Sequence, residues 1–233
     1  DIVTFSDNIA AQVVHHYPSA RGKVTTVSPG VDVDRFSPDK SHPELAQSYG
    51  LGENQKVFLY VGRLSAEKNL EHLIEAFSKL KCKDNVLFLV GEGDHQYFLE
   101  RRCRELGIED RVVFAGYQDD PSSFYALAHF FVLPTLYEGF GLVYLESLSS
   151  GVPCIGYAGD LTATTEIIKD GVNGFVVYDP TPVALSQAMT QACNLKKFEY
   201  QQMSQNARNI AVENYNWEQF VRRVLSLSFG SKR

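Results

Sequence analysis

Six short apolar runs, separated by segments of helical periodicity, most narrowly limit what this chain can fold into. Each run has a strand's length rather than a core helix's, and turn residues separate the runs from the segments between them. Short apolar strands that alternate with helices are typical of a parallel sheet with helices on both faces. The runs are residues 57–61, 86–90, 112–116, 130–134, 154–157 and 174–177. The sequence therefore predicts an α/β fold built on a parallel sheet.

The segments between the runs predict the covering helices. Between the first two runs, apolar residues recur at the spacing that places them on one helix face. These are Leu70, Leu73, Ile74, Phe77 and Leu80. Between the fifth and sixth runs, residues 162–169 predict a shorter helix, which ends at Asp170 and Gly171.

Glycine-rich and polar turns follow the carboxyl ends of the predicted strands. In parallel sheets, ligands bind outside these ends, where turns from neighbouring strands meet. We therefore expect a binding site at this edge of the sheet. The residues that we expect there are Gly62, Arg63, Gly91, Tyr117, Gln118, Glu138, Gly139, Phe140, Gly141 and Leu142.

Glu138 and Glu146 are separated by seven residues that include a glycine-rich turn. Gly139 and Gly141 let the backbone turn closely into a helix that we expect to run to about residue 150. Free amides at the start of that helix favour a phosphate. Glu138 beside them can accept hydrogen bonds from sugar hydroxyls, and Glu146 can hold a ribose diol. The alternative is that Glu138 caps the helix and Glu146 is a solvated side chain.

Two cations, Arg63 and Lys68, follow the first predicted strand and Gly62. Arg63 has a planar guanidinium that matches phosphate oxygens, and Lys68 is a mobile point charge, so together they can hold a pyrophosphate. Asn69 is predicted to cap the next helix. The alternative is that both cations are unpaired surface charges.

The order of these motifs resembles the C-terminal, donor-binding domain of retaining GT-B glycosyltransferases, specifically glycosyltransferase family 4. The resemblance covers residues 1–220, and its most specific part is the segment from Glu138 to Glu146. It implies a Rossmann-like GT-B C-terminal domain that binds a nucleoside diphosphate sugar. The motifs are Gly62-Arg63, Lys68-Asn69, Gly91-Glu92-Gly93, Phe114-Ala115-Gly116, residues 134–146 and Gly151-Val152-Pro153.

The resemblance also implies a role for each site residue. Transfer of a hexose with retention is attributed in this family to front-side attack assisted by the donor's own phosphate. Arg63 and Lys68 would then stabilise the pyrophosphate, and Glu138 would orient the sugar; these three are the implied catalytic residues. Glu146 would hold the ribose. The implied donor-binding residues are Gly62, Arg63, Lys68, Gly91, Tyr117, Gln118, Glu138, Gly139, Phe140, Gly141, Leu142 and Glu146, with the base near Tyr117 and Gln118.

Three segments depart from the family pattern. Residues 147–150 replace an alanine-rich segment, and Pro29 stands where many members have Asn. Residues 158–162 replace the usual double-glycine loop before Glu166, so a donor-sugar contact there stays open. UDP-, GDP- and ADP-sugars all stay open as donors, and so does the acceptor.

The chain ends are predicted to belong to other parts of such an enzyme. The resemblance implies that residues 1–36 are a strand, helix and strand remnant of the N-terminal domain, and that residues 37–52 are a linker. Residues 53–213 would form the nucleotide-sugar domain. The apolar stripe in residues 214–233 would form a crossover helix that returns to the N-terminal domain. The missing part of that domain would hold the acceptor, so this chain alone is expected to be inactive.

Composition narrows the function further. A formal net charge of −6 and a pI near 5.5 argue against a nucleic-acid partner. Four widely spaced cysteines fit reduced thiols in the cytoplasm, and no apolar run is long enough for a membrane span. Peripheral membrane association of a full-length protein stays open. We expect no cofactor and no metal, because no cluster of typical ligands is evident.

Two alternatives from other classes stay open. A dinucleotide-binding dehydrogenase module is one, but Gln96 stands where the third glycine after Gly91 and Gly93 is wanted. A noncatalytic interaction domain, docking through the C-terminal stripe, is the other. An isomerase or phosphorylase on the same fold is a further variant. His15, His16 and His129 are predicted to be structural or exposed.

Overall fold

This computed structural model describes residues 2–40, 43–52 and 55–230. The chain begins with two short strands, β1 (Ile2–Thr4) and β2 (Val24–Thr26), which pair in parallel around helix α1 (Asp7–His16). Both strands have three residues, and they form a sheet of their own. Helix α2 (Pro43–Ser48) lies within the predicted linker, residues 37–52.

The main sheet has six parallel strands, as predicted. Five of them have the predicted bounds, and β6 ends one residue before Pro134, which lacks the N–H that a sheet ladder needs. The strands are β3 (Val57–Val61), β4 (Val86–Val90), β5 (Val112–Gly116), β6 (Phe130–Leu133), β7 (Cys154–Tyr157) and β8 (Gly174–Val177).

Helices flank this sheet and pack in two groups, α3 with α4 and α8, and α6 with α5 and α9. Most of them have an apolar face that packs against the sheet, because their buried residues recur at helical spacing. The helices are α3 (Leu70–Ser78), α4 (Gln96–Leu106), α5 (Ser122–Leu127), α6 (Leu142–Ser149), α7 (Thr164–Ile167), α8 (Pro182–Asn194) and α9 (Lys197–Asn214). Helix α10 (Trp217–Gly230) follows α9.

The core lies on both faces of the central strands. Phe58 on β3 stacks on Phe130 of β6 with ring centroids 5.8 Å apart, and both side chains are fully buried. On α3 the predicted apolar stripe is buried against the sheet, including Phe77, which packs edge to face on Phe58. Burial of these rings on both faces explains why the strands read as continuous apolar runs.

The strand order is β5-β4-β3-β6-β7-β8. From β3 the chain moves outward in one direction through β4 and β5, then crosses back and moves outward in the other through β6, β7 and β8. The order therefore reverses between β3 and β6. Such a reversal leaves a crevice at the carboxyl ends of the two strands, which is where open α/β sheets bind ligands.

The helix predicted over residues 162–169 is wrong in its bounds, because α7 has only four residues. At its start, the Thr162 hydroxyl donates to the Gly159 carbonyl in a turn. At its end, Ile168 is extended, and the Asn173 side chain accepts a hydrogen bond from Lys169 N at 2.7 Å. Both ends are thus fixed by local side-chain bonds that compete with the helix.

Some predicted boundaries fall where the structure describes no residues. These positions are residue 1, residues 41 and 42 of the predicted linker, the predicted domain start at 53 with its neighbour 54, and residues 231–233 of the predicted crossover helix. Among the described residues, no helix is both long and apolar enough to cross a membrane.

Candidate functional site

A pocket of about 340 Å³ opens at the carboxyl ends of β3, β4 and β5. It contains residues from three of the predicted turns, so the structure brings these distant segments together. The lining residues are Val61, Gly62, Arg63, Val90, Gly91, Glu92, Tyr117 and Gln118. Five of them are predicted site residues.

The floor of this pocket is backbone. Gly62 N donates to Val90 O at 2.9 Å, and Gly91 N donates to Gly116 O at 2.8 Å, so the ladder continues past the strand ends. Gly91 has φ +133°, and a Cβ built there would lie 2.0 Å from Gly62 O. Only glycine permits this backbone approach beside the pocket.

Three side chains of the pocket have groups that can contact a ligand. The Arg63 side chain is 72% exposed, and its guanidinium is 3.6 Å from Glu67. Tyr117 is 65% exposed, and an exposed ring can stack on a base. Gln118 Nε2 donates to Ala115 O at 2.9 Å, which fixes the amide and leaves its Oε1 as an acceptor.

Lys68 and Glu138 meet at the crevice between β3 and β6. Lys68 Nζ lies 2.7 Å from Glu138 Oε2, and the two side chains are only 17% and 25% exposed. The alternative that Glu138 caps α6 is wrong, since the N-cap is Gly141 and no side chain caps this helix. The alternative of an unpaired surface cation is likewise wrong for Lys68. The pair places one positive and one negative group beside the start of α6.

The prediction that the Asn69 side chain caps α3 is wrong. Asn69 is the N-cap by position, but its φ is +52° and its side chain makes no capping bond. Instead Asn69 Nδ2 donates to Pro134 O at 3.1 Å. This bond ties the turn after β3 to the turn after β6, so it supports the Lys68–Glu138 pair.

The turn from Gly139 to Leu142 leads into α6 as predicted. Gly141 adopts φ +80°, and the first hydrogen bond of the helix runs from Tyr144 N to Gly141 O at 2.9 Å. The amides before Tyr144 are therefore left for a ligand. Phe140 is buried beside Tyr215, whereas Leu142 is exposed.

Glu146 lies in a second cavity of about 190 Å³, which Leu142, Arg35 and Trp217 also line. Tyr125 Oη donates to Glu146 Oε2 at 2.8 Å. Burial raises the pKa of Glu146, and the Tyr125 hydrogen bond opposes that rise. The alternative of a solvated glutamate is therefore wrong. Glu146 does not line the pocket at Gly62, so the structure does not bring all the predicted site residues into one pocket.

Sequence reasoning missed several residues of this region. Tyr125 comes from α5, and Arg35 comes from the end of the predicted remnant, residues 1–36, where its Nε lies 3.3 Å from Asp120. No local pattern marks either one, because each reaches the site only through the fold. Asp32 and Asp34 were not predicted as site residues either. The Asp32 carboxylate accepts hydrogen bonds from the amides of Asp34 and Arg35.

The histidines have the structural or exposed positions that were predicted. His15 and His16 are exposed on α1. His129 Nδ1 accepts a hydrogen bond from Val57 N at 3.2 Å, and burial, with a smaller effect of nearby Lys56, lowers the pKa of His129 to about 4. Within the described part of the chain, no three His, Cys, Asp or Glu side chains are grouped as metal ligands.

The sequence matches the family model described as glycosyl transferases group 1 over residues 41–210. The chain belongs to this family. Membership favours the glycosyltransferase interpretation over the dehydrogenase alternative, and it agrees with the motifs at the strand ends. The matched range includes every site residue discussed above from Gly62 to Glu146.

Several glycosyltransferases are similar to this group 1 member in sequence. An N-acetyl-alpha-D-glucosaminyl L-malate synthase of Bacillus anthracis is 30% identical over 226 residues, covering 95% of this chain and 57% of the relative. A GDP-mannose-dependent alpha-(1-6)-phosphatidylinositol monomannoside mannosyltransferase of Mycolicibacterium smegmatis is 30% identical over 250 residues, covering 100% and 63%. The chain thus spans less than two thirds of the length of these relatives.

Solved glycosyltransferase structures have the same fold. A glycosyltransferase of Rickettsia africae superposes with a TM-score of 0.90 at 20% identity, covering 100% of this chain and 64% of that one. Anabaena HepE, solved in complex with UDP and glucose, superposes with a TM-score of 0.85 at 23% identity, covering 97% and 62%. The six-stranded parallel sheet flanked by helices is therefore the α/β fold of GT-B glycosyltransferases.

Proposed function

We propose that this chain is the donor-binding part of a retaining glycosyltransferase of family 4, which transfers a hexose from a UDP-, GDP- or ADP-sugar. The observation that supports this best is the pocket at the ends of β3, β4 and β5. It combines an exposed guanidinium, closely approaching glycine turns and an exposed aromatic ring, which are groups that suit a nucleotide. The UDP complexes of HepE and the GDP-mannose named for the mycobacterial relative support the same donor class.

The proposed binding mode follows the charges. Arg63, Lys68 and the free amides at the start of α6 would surround the pyrophosphate with positive potential, and so stabilise the nucleoside diphosphate as it leaves. Glu138 would accept hydrogen bonds from the sugar, with its position held by Lys68 at 2.7 Å. Because these groups supply the positive charge, no metal forms part of the proposal.

The nucleoside would extend away from the crevice. Tyr117 would stack on the base, and Gln118 Oε1 would accept a hydrogen bond from it, since its Nε2 is held by Ala115 O. Glu146 would hold the ribose with one carboxylate oxygen, because the other accepts the Tyr125 hydrogen bond. We propose that the acceptor binds to a further part of the enzyme, for which the greater length of the relatives leaves room.

The first test is calorimetric titration of the chain with UDP, GDP, ADP and NAD. We expect one nucleoside diphosphate to bind and Arg63→Ala to weaken it by about 1.5 to 3 kcal/mol, the range for a hydrogen bond to a charged group. Arg101→Ala is the matched control, because Arg101 is also an exposed arginine paired with a glutamate four residues later. Equal affinity of Arg63→Ala and the unmodified chain would contradict the pyrophosphate role. Binding of NAD alone would contradict the donor class.

A further inference from the structure

The first helix of the chain contacts the loops of the candidate donor site. Ser6 Oγ donates to Gly139 O at 3.0 Å, in the turn that precedes α6. Asn8 Nδ2 donates to Thr162 O at 2.5 Å, in the loop that precedes α7. Ser6 and Thr162 are buried, and both hydrogen bonds are partly buried. The turn before α6 and the loop before α7 thus share one neighbour, the start of α1.

Glu166 on α7 binds the same end of α1. Its Oε2 accepts a hydrogen bond from Asp7 N, and its Oε1 accepts one from Asn8 N, each at 2.9 Å. A carboxylate is favoured there, because the first amides of a helix lack partners within the helix and carry partial positive charge. Both carboxylate oxygens are therefore used to hold α1 against α7.

Helix α1 does not need Glu166 as its only cap. The Ser6 side chain already accepts a hydrogen bond from Ile9 N at 3.2 Å, in the ordinary N-cap arrangement. No residue of α1 is fully buried, and the helix packs beside β1 and β2. Its hydrogen bonds to the two loops are those to Gly139, Thr162 and Glu166, which we call the α1 contact.

The loops in the α1 contact also bond to each other through Glu138. Glu138 N donates to Leu161 O at 2.9 Å, and Glu138 forms an isolated parallel bridge with Thr162. Glu138 therefore has a neighbour bonded to α1 on each side. Gly139 follows it in the chain, and Thr162 lies beside it in the other loop. A shift of α1 would move both neighbours of Glu138 together.

We propose that Glu166 is a positioning residue of the donor site, which fixes the Glu138 turn and the start of α6 by holding α1 against both loops. Glu166 does not touch the donor in this proposal. Its effect on ligand affinity rests on the proposed function, whereas its effect on the mobility of the Glu138 turn does not.

The experiment compares Glu166→Ala and the milder Glu166→Gln with the unmodified chain. The matched control is Glu199→Ala, because Glu199 also accepts a hydrogen bond from a helix-start amide, Lys196 N at 2.8 Å, on α9. NMR measures the hydrogen-exchange rates of two backbone amides, those of Asn8 and Glu138. Asn8 loses its partner directly, and Glu138 reports any transmitted change, since its amide is bonded to Leu161 O.

We expect Glu166→Ala to speed exchange of the Glu138 amide by about tenfold, with Glu166→Gln intermediate and Glu199→Ala unchanged. Calorimetry should show the nucleoside diphosphate weakened by about fivefold in Glu166→Ala, whereas the nucleoside without phosphates binds equally. A general loss of stability would weaken both ligands alike, so this difference identifies positioning of the phosphate-binding turn.

Unchanged exchange at Glu138 in Glu166→Ala would overturn the proposal, whatever the ligands do. If the alanine variant does not fold, the same comparison is made with Glu166→Gln, and an unchanged Glu138 amide there overturns it too. If the unmodified chain binds no nucleoside diphosphate, the proposed function fails by itself, and the exchange measurement still decides the role of Glu166.

Discussion

At the scale of single residues, two glutamates in one motif have different environments. Glu138 is paired with Lys68 at 2.7 Å, so it lies beside a full positive charge. Glu146 is paired with the neutral hydroxyl of Tyr125, and burial raises its pKa. Their partners therefore suit different tasks. Glu138 is held by a charge beside the crevice, whereas Glu146 offers a poorly hydrated oxygen to a hydroxyl group.

Replacing Glu146 tests the ribose role. We expect Glu146→Ala to weaken the nucleoside diphosphate by about 1 to 3 kcal/mol, because a buried polar contact is lost. The 2′-deoxy nucleotide should lose much less, since it already lacks a hydroxyl that Glu146 would hold. Calorimetry of both ligands on both proteins measures this difference. Equal penalties for the two ligands would remove Glu146 from the ribose, and Glu105→Ala on exposed α4 is the control.

At the scale of elements, the glycine turns after the strands decide how closely the loops approach. We expect Gly91→Ala to cost about 3 kcal/mol or more of unfolding free energy, because its Cβ would lie 2.0 Å from Gly62 O at φ +133°. Gly107→Ala is the control, since Gly107 has φ +63° and no atom within 4 Å of the added Cβ. That change should cost about 1 kcal/mol. Urea unfolding of both variants measures this difference. Similar losses of unfolding free energy would contradict the prediction, because they would show that the turn after β3 moves to accommodate the added Cβ.

The strands of the main sheet were predictable because each is a local pattern. Residues 57–61 and 86–90 are buried on both faces, so an unbroken apolar run defines them from end to end. Helix α7 was predicted too long, because its ends depend on side chains such as Asn173 that compete for backbone groups. Helix α2 was missed, because the polar composition of residues 37–52 resembles that of a loop.

The site was predictable only where one turn contains the whole pattern. Gly62, Gly91 and Gln118 line one pocket, because carboxyl ends of parallel strands meet. The Lys68–Glu138 pair joins residues 70 positions apart, and the Glu166 bond to Asn8 joins residues 158 positions apart. Such bonds follow from how two loops lie in space, which the spacing of residue types does not encode.

At the scale of the whole molecule, the C-terminal helix leaves an apolar stripe uncovered. Trp217, Val221 and Leu225 on α10 are each about half exposed. The similar glycosyltransferases are longer than this chain, and a further part of such an enzyme would have room to cover the stripe. The crossover role of residues 214–233 stays a prediction.

The stability of the whole molecule should depend on pH through His129. Burial lowers the pKa of His129 from its ordinary 6.5 to about 4, so the unfolded chain takes up a proton in this interval that the folded chain does not. The free energy of unfolding should therefore fall as the pH drops from about 6.5 to about 4, by roughly 3 kcal/mol from this group. His129→Asn keeps a side-chain acceptor for Val57 N, and it should remove this group's share of the dependence of unfolding free energy on pH. Urea unfolding at several pH values measures it. His15→Asn, on exposed α1, should keep the full slope, and an unchanged slope in His129→Asn would contradict a neutral buried histidine.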